Sequence, residues 1–350
     1  MRGHVCSRAE VLALVSNTKP IHELRLEASS LIGITQRHPP IYIFSHPRTR
    51  SNLLARLLET HPQIADAILY PHRAAHIKGP ERRVKDGTLF AVKPEELSPV
   101  HTYQYCHDEM QASFEAMYEK GLIPLVKEHV IFTMSTSVVN SQIPNALKPS
   151  YPVIADTEKP PSTNPNSNPM ILPASFLASI TPIFTIRHPI PLITSWMNII
   201  LGTYGENYDK LAVWRSCSFR WTRTLFDYYR VSGKTAIVID GDELVRDTKN
   251  QMEKLCSLIG PGVDGSGIQY EWKPKASYMA VDEKMKEDVF LRVLYESTGV
   301  IVNEERLKPP NLDEEMTKWT EKWGVDVANK LKDYAQAAIE DYDYLLQYRL

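Results

Sequence analysis

Ile41-Tyr42-Ile43-Phe44-Ser45-His46-Pro47-Arg48-Thr49-Arg50-Ser51-Asn52-Leu53-Leu54 is the stretch on which the fold turns. It reads as a short apolar β-strand, a tight polar turn, and an amphipathic helix running to about Thr60. A turn of this kind leaves the first N–H groups of the helix without intrahelical partners, and the helix dipole adds positive character there. Together they make an anion site. Arg48, Thr49, Ser51 and Asn52 bring a cation and small donors to the same spot. The expected guest is a phosphate or a sulfate. The run G-x-x-x-x-G-K-[ST] of ATP-type phosphate loops is absent. Gly233-Lys234-Thr235 is the one fragment of that kind, but Tyr228 stands where the first glycine should be. Gly233 also precedes the strand expected over Ala236–Asp240 instead of following one, and reads as a helix C-cap.

A second segment repeats the pattern. Ile183-Phe184-Thr185-Ile186-Arg187-His188-Pro189-Ile190-Pro191-Leu192-Ile193-Thr194-Ser195-Trp196 is again strand, polar turn and helix. Arg187 falls at the strand's C-terminal end, and Ser195 lies two turns further on. In open α/β sheets ligands gather at the C-terminal ends of strands. Two basic turns at two strand ends predict a ligand with two anionic groups.

With these motifs in place, the chain resembles sulfotransferases that use 3′-phosphoadenosine 5′-phosphosulfate. In that family a loop of the form Pro-[Lys/Arg]-[Ser/Thr]-Gly-[Ser/Thr]-[Thr/Asn]-[Trp/Leu] holds the 5′-phosphosulfate. Pro47-Arg48-Thr49-Arg50-Ser51-Asn52-Leu53 follows it except that Arg50 replaces the glycine. Arg187, Pro189 and Ser195 match the family's 3′-phosphate motif in type and spacing. Leu125-Val126-Lys127-Glu128-His129 resembles its strand-end Lys-x-His, and Ile237-Val238-Ile239-Asp240-Gly241-Asp242-Glu243-Leu244 its strand ending in an acidic turn. The resemblance covers about Ile41 to Gly260. Leu53 stands where cytosolic members carry an aromatic residue, and the C-terminal Arg-Lys-Gly-x-x-Gly element is not visible, with Lys273 and Lys275 as the nearest substitutes. The chain thus looks like the divergent members of microbial and fungal metabolism.

The resemblance implies a three-layer α/β fold, a central mostly parallel sheet flanked by helices, of the P-loop-type sulfotransferase kind. It also implies chemistry. A sulfonyl group leaves the donor 3′-phosphoadenosine 5′-phosphosulfate for a hydroxyl of a small metabolite, leaving 3′-phosphoadenosine 5′-phosphate. Arg48 would neutralise the leaving phosphate, Lys127 steady the transferring group, and His129 take the acceptor proton. Thr49, Arg50, Ser51, Asn52, Arg187 and Ser195 complete the donor site, and no metal is called for. Two other readings stay open: a repurposed fold in which His129 serves a cyclisation or an elimination, and a non-catalytic binding protein that keeps the nucleotide fold.

Composition agrees with an enzyme of this kind. The 350 residues carry 43% hydrophobic side chains and a net charge of −2. That is ample for a core and gives no global field for nucleic acid or an anionic membrane. No run approaches eighteen apolar residues. Val11–Val15 is too short for a signal-peptide core, and the four cysteines show neither metal nor disulfide spacing, so a cytoplasmic setting is expected. His72 and His76 are four apart but lack the glutamate of a metalloprotease pair and are read as non-metal.

The expected organisation is a leader over 1–39, with a helix from about Arg8 to Ser16, followed by a single domain over 40–350. Residues 70–100 read as irregular, 103–120 as a helix, Leu122–Val126 as a strand, and Asp209–Val231 as one helix. Helices are also expected from Asp247 to Ile259 and within 311–350. The stretch 141–173 holds eight prolines among Asn and Ser and reads as a long loop, either a lid over the site or a solvated insertion.

Overall fold

The computed structural model describes residues 37–83, 93–142, 154–155, 168–204, 210–274 and 292–350. The leader helix at Arg8–Ser16, most of the loop 141–173, and Lys275 lie outside the described residues.

Five strands form one sheet: β1 (Ile41–Ser45), β2 (Ile68–Leu69), β3 (Leu125–His129), β4 (Thr181–Ile186) and β5 (Ile237–Asp240). Their spatial order is β2-β3-β1-β4-β5, and every neighbouring pair is parallel. Among the helices between and after them are α1 (Ser51–Leu58), α2 (Arg73–Lys78), α3 (Tyr103–Tyr118), α4 (Pro189–Tyr204), α5 (Lys210–Cys217), α6 (Arg220–Val231), α7 (Gly241–Arg246), α8 (Thr248–Ile259), α9 (Leu312–Trp323) and α10 (Val325–Leu346).

The unbroken apolar run of β1 reflects burial on both faces, as parallel sheets require. Ile41, Ile43, Leu125, Ile183 and Ile239 face one layer, where Leu54 and Leu57 of α1 meet Leu255 and Ile259 of α8. Tyr42, Phe44, Val126, Phe184 and Val238 face the other, packed by Phe114, Ile193, Phe226, Leu331 and Leu345 from α3, α4, α6 and α10. Phe44 and Phe184 stack at 5.5 Å between centroids and tie β1 to β4 within that layer. The result is the three-layer α/β arrangement expected.

Strand register puts the chemistry on one edge. Ser45 lies opposite His129 on one side and Thr185 on the other, and Ile186 lies opposite Asp240. The chain leaves β1 towards β2 and β3, then crosses to β4 and β5. The crevice between β1 and β4 is therefore the topological switch point.

Three local expectations are corrected. The strand expected over Leu122–Val126 runs instead over Leu125–His129, so Lys127 and His129 belong to the strand itself. Gly121 at φ +72° is a turn, and Pro124 has no N–H to pair, so the ladder starts after it. The helix expected over Asp209–Val231 is two, α5 and α6, separated at Ser218-Phe219, where the Ser218 hydroxyl accepts the Arg220 N–H. The region 70–100 is not wholly irregular: α2 lies in it, and β2 immediately precedes it. Gly233 does follow α6 in the left-handed region at φ +72°, its N–H donating to the Arg230 carbonyl.

Candidate active site

The loop after β1 is shaped by two residues in the left-handed region, Arg48 at φ +67° and Arg50 at φ +61°. Thr49 between them is fully buried. Its hydroxyl bonds the His46 carbonyl at 2.8 Å and the Thr185 hydroxyl at 2.8 Å, which fastens the loop to β4. Thr49 thus builds the loop from inside. Arg50 is the N-cap residue of α1 and makes no side-chain cap, so the helix N-terminus presents its N–H groups uncapped. Alternating backbone conformation at a loop that opens such a helix makes a concavity for an anion.

Cations collect around it. Arg48 Nε donates to Ser195 Oγ on α4 at 2.9 Å. Arg187, at the end of β4, donates through Nη1 to the Arg48 carbonyl at 3.4 Å and through Nε to Asp242 at 3.0 Å. Arg50 reaches the same carboxylate at 2.7 Å. Burial, with Arg187 beside it, lowers the Arg50 guanidinium to about 10, still a cation at neutral pH. Arg50 and Arg187 thus share the one carboxylate of Asp242, and Arg48 stands beside them on Ser195. His46, buried in the same loop against Phe219, is pushed down to about 3 by burial and contributes no charge.

Arg50 replaces a glycine of the resembling loop at the position that most favours glycine. Removing the Cβ from a residue held in the left-handed region would relieve roughly 1–2 kcal/mol. The glycine's backbone entropy, about 0.5–1 kcal/mol, and the lost ion pair, about 0–1 kcal/mol, oppose that. These effects nearly cancel. Arg50→Gly is therefore expected to shift the melting temperature by no more than about 3 °C, and calorimetry should find anion affinity kept within a few-fold.

The second half of the site stands on β3. Ser45 donates its hydroxyl proton to the Glu128 carbonyl at 3.0 Å. His129 Nδ1 lies 3.1 Å from that hydroxyl oxygen and 3.4 Å from the Ser45 carbonyl. Both are acceptors towards the ring, so the bonding pattern assigns the proton to Nδ1 and leaves the Nε2 lone pair open. Burial, then the charge of Lys127, hold His129 well below the ordinary imidazole range, so it is neutral at pH 7. Lys127 is fully buried and donates to the Tyr70 hydroxyl. Asn52 Oδ1 accepts from that same hydroxyl at 3.4 Å.

Several contributors were not singled out as site residues from the sequence. Asp242 joins two guanidiniums. Asp240 accepts the N–H groups of Asp242 and Glu243 at 2.8 and 3.1 Å and the Tyr342 hydroxyl at 2.9 Å, fixing the turn that carries Asp242. Ser45 sets the His129 tautomer. Glu128, fully buried, accepts from the N–H groups of His72 and His129 at 3.0 and 2.9 Å. His72 is thereby a backbone partner of β3. For Asp242 the sequence did hold a signal, in the Asp240-Gly241-Asp242 turn at a strand end. The others are set by register alone. Lys273 offers its carbonyl to Arg56, in the last turn of α1, at 3.2 Å.

The described residues thus place a basic loop at the switch point of a parallel α/β sheet and a neutral histidine on the same edge. The chain belongs to the sulfotransferase family, whose sequence profile matches residues 39–264. Two fungal proteins named sulfotransferase ppzF are similar. The one from Metarhizium majus is 26% identical over 92% of this chain and 99% of its own length. The one from Metarhizium rileyi is 24% identical over 88% and 95%. The crystal structure of mouse sulfotransferase SULT7A1 complexed with PAP aligns with 14% identity over 87% of this chain and 92% of that chain, at a TM-score of 0.38. No described helix is long and apolar enough to cross a membrane.

Proposed function

We propose that the protein moves the sulfonyl group of 3′-phosphoadenosine 5′-phosphosulfate to a hydroxyl of a small metabolite, in the cytoplasm. One observation carries this reading: the hydrogen bond between Arg48 and Ser195, with Arg187 against the Arg48 carbonyl, which draws the two anion motifs into one cluster at the switch point. The donor set fits a ligand with two anionic groups. It offers an uncapped helix N-terminus, three guanidiniums and a hydroxyl.

In this reading Arg48 and the N–H groups of residues 49–52 hold the 5′-phosphosulfate, and Arg187 with Ser195 the 3′-phosphate. The bound donor supplies an activated sulfonyl group. Arg48 keeps its charge at any working pH and can bond two oxygens at once, which suits charge building on a departing phosphate. His129, with its proton on Nδ1, offers Nε2 to the acceptor hydroxyl. Lys127, held beside it, adds positive charge where the sulfonyl oxygens pass.

The test is calorimetry with 3′-phosphoadenosine 5′-phosphate, AMP and ATP. The bisphosphate should bind most tightly. A charge-assisted hydrogen bond contributes about 1.5–3 kcal/mol, so Arg187→Ala should weaken the bisphosphate by about tenfold or more and leave AMP nearly unchanged. Equal affinity of the native protein for AMP and the bisphosphate would remove this reading.

A further inference from the structure

Tyr70 follows β2 and precedes Pro71, and its φ is +54°. A bulky residue in that region is strained by roughly 1–2 kcal/mol, and a glycine would make the same turn with less strain. The contacts of Tyr70 show what the strain maintains. Its N–H donates to the Lys127 carbonyl at 2.8 Å. Its hydroxyl accepts from the Lys127 ammonium, which lies 3.7 Å from the ring centroid. The same hydroxyl donates to Asn52 Oδ1 on α1 at 3.4 Å. Its ring lies 4.8 Å from the His129 imidazole, and Phe132 packs on both, at 6.3 and 5.3 Å. A fully buried ammonium needs an acceptor and compensating charge density. Tyr70 supplies an oxygen and a π face at once.

We propose that Tyr70 is a positioning residue: it holds the Lys127 ammonium between the helix of the anion loop and His129, so that the charge stands beside the imidazole. The proposal rests on the reading of Lys127 and His129 as the working pair of the transfer reaction.

A consequence separates this role from simple packing. His129 is faced by Lys127 from its own strand, by Ser45 and His46 from the end of β1 and its loop, by Arg73 from α2, and by the ring of Tyr70. Lys127 and Arg73 are the cations among these. Tyr70→Phe keeps the ring but removes the oxygen that Lys127 and Asn52 share. Without that oxygen the Lys127 ammonium shifts from its place beside His129, its repulsion of an imidazolium weakens, and the His129 pKa rises. A general base works in its neutral form, so the acid limb of turnover moves to higher pH.

The experiment is a histidine NMR titration of the full chain, with His129→Gln to assign the resonance. Turnover and calorimetry with 3′-phosphoadenosine 5′-phosphate run in parallel. Tyr70→Phe should raise the His129 midpoint by about half a pH unit or more, from wherever the native imidazole titrates. It should lower kcat about tenfold or more, with the bisphosphate affinity kept within about threefold. In a Lys127→Met background the same substitution should leave the midpoint unmoved. An unchanged midpoint in Tyr70→Phe overturns the proposal. So does a midpoint that shifts equally with Lys127 absent, since the effect would then not pass through the lysine. The titration needs no turnover, so a native protein that transfers no sulfonyl group refutes the proposed function and leaves this test standing.

Discussion

His129→Ala should turn over about 10²–10⁴-fold more slowly than the native enzyme, the usual loss when a general base is removed, while 3′-phosphoadenosine 5′-phosphate binds within a few-fold of normal. The reasons lie in the geometry. Ser45 fixes the proton on Nδ1, and burial beside Lys127 keeps the ring neutral, so an open Nε2 is present without prior deprotonation. Because the pKa is lowered, the neutral form persists below pH 6.5, and activity should hold as pH falls through the range where an ordinary histidine protonates. The anion loop draws its charge from Arg48, Arg50 and Arg187 and does not depend on the imidazole. If His129 were only a packed core residue, the pattern would invert: a lower melting temperature and a modest loss of rate in the folded fraction. Turnover, calorimetry and a thermal melt on one protein preparation decide it. A fully active His129→Ala would end the assignment of this residue.

Much of the fold was legible because each working strand carries its own punctuation. Apolar runs that stop at His46-Pro47, Arg187-His188 and Gly241-Asp242 mark the ends of β1, β4 and β5, and parallel pairing puts those ends on one edge. The spacing from Arg187 to Ser195 placed the hydroxyl two turns into α4, where it meets Arg48. β3 was harder. Gly121, Ile123 and Pro124 look like a strand opening, but a left-handed turn and a missing N–H delay the ladder by three residues. β2 is only two residues long and has too few positions to show a period.

Contacts made by register or by a turn's approach could not be read from composition. Tyr70 gives no local sign that it meets Lys127, 57 residues away. Glu128, between two site residues, is fully buried because alternate positions of β3 face opposite layers and its carboxylate meets the backbone of His72. Arg50 reads as an intrusion in a glycine-type loop. The structure pairs it with Asp242 and retains the left-handed backbone that glycine would adopt.

Gly241→Ala should disrupt donor binding although residue 241 bears no side chain to contact a ligand. A Cβ there would lie 2.4 Å from the Thr49 carbonyl oxygen, 3.1 Å from its carbon and 3.2 Å from the Arg50 Cβ. Neither side can retreat easily. The Thr49 hydroxyl is tied to His46 and Thr185, and Asp240 is held by two N–H groups of α7 and by Tyr342. The loop must shift by a sizeable fraction of an ångström, and with it Arg48, Arg50 and the pairing through Asp242. Overpacking of this kind costs about 1–3 kcal/mol. Misplacement of positioned groups by about 1 Å can cost about 10². Bisphosphate affinity should therefore fall by about one to two orders of magnitude, more than the melting temperature alone would explain. Gly233→Ala is the control. Its Cβ meets nothing within 4 Å, and its φ of +72° makes it a strained substitution far from the loop. It should lower the melting temperature and leave affinity intact. If Gly241→Ala binds 3′-phosphoadenosine 5′-phosphate as the native protein does, the β5 turn does not support the anion loop, and the close contact at Thr49 has no part in holding the donor.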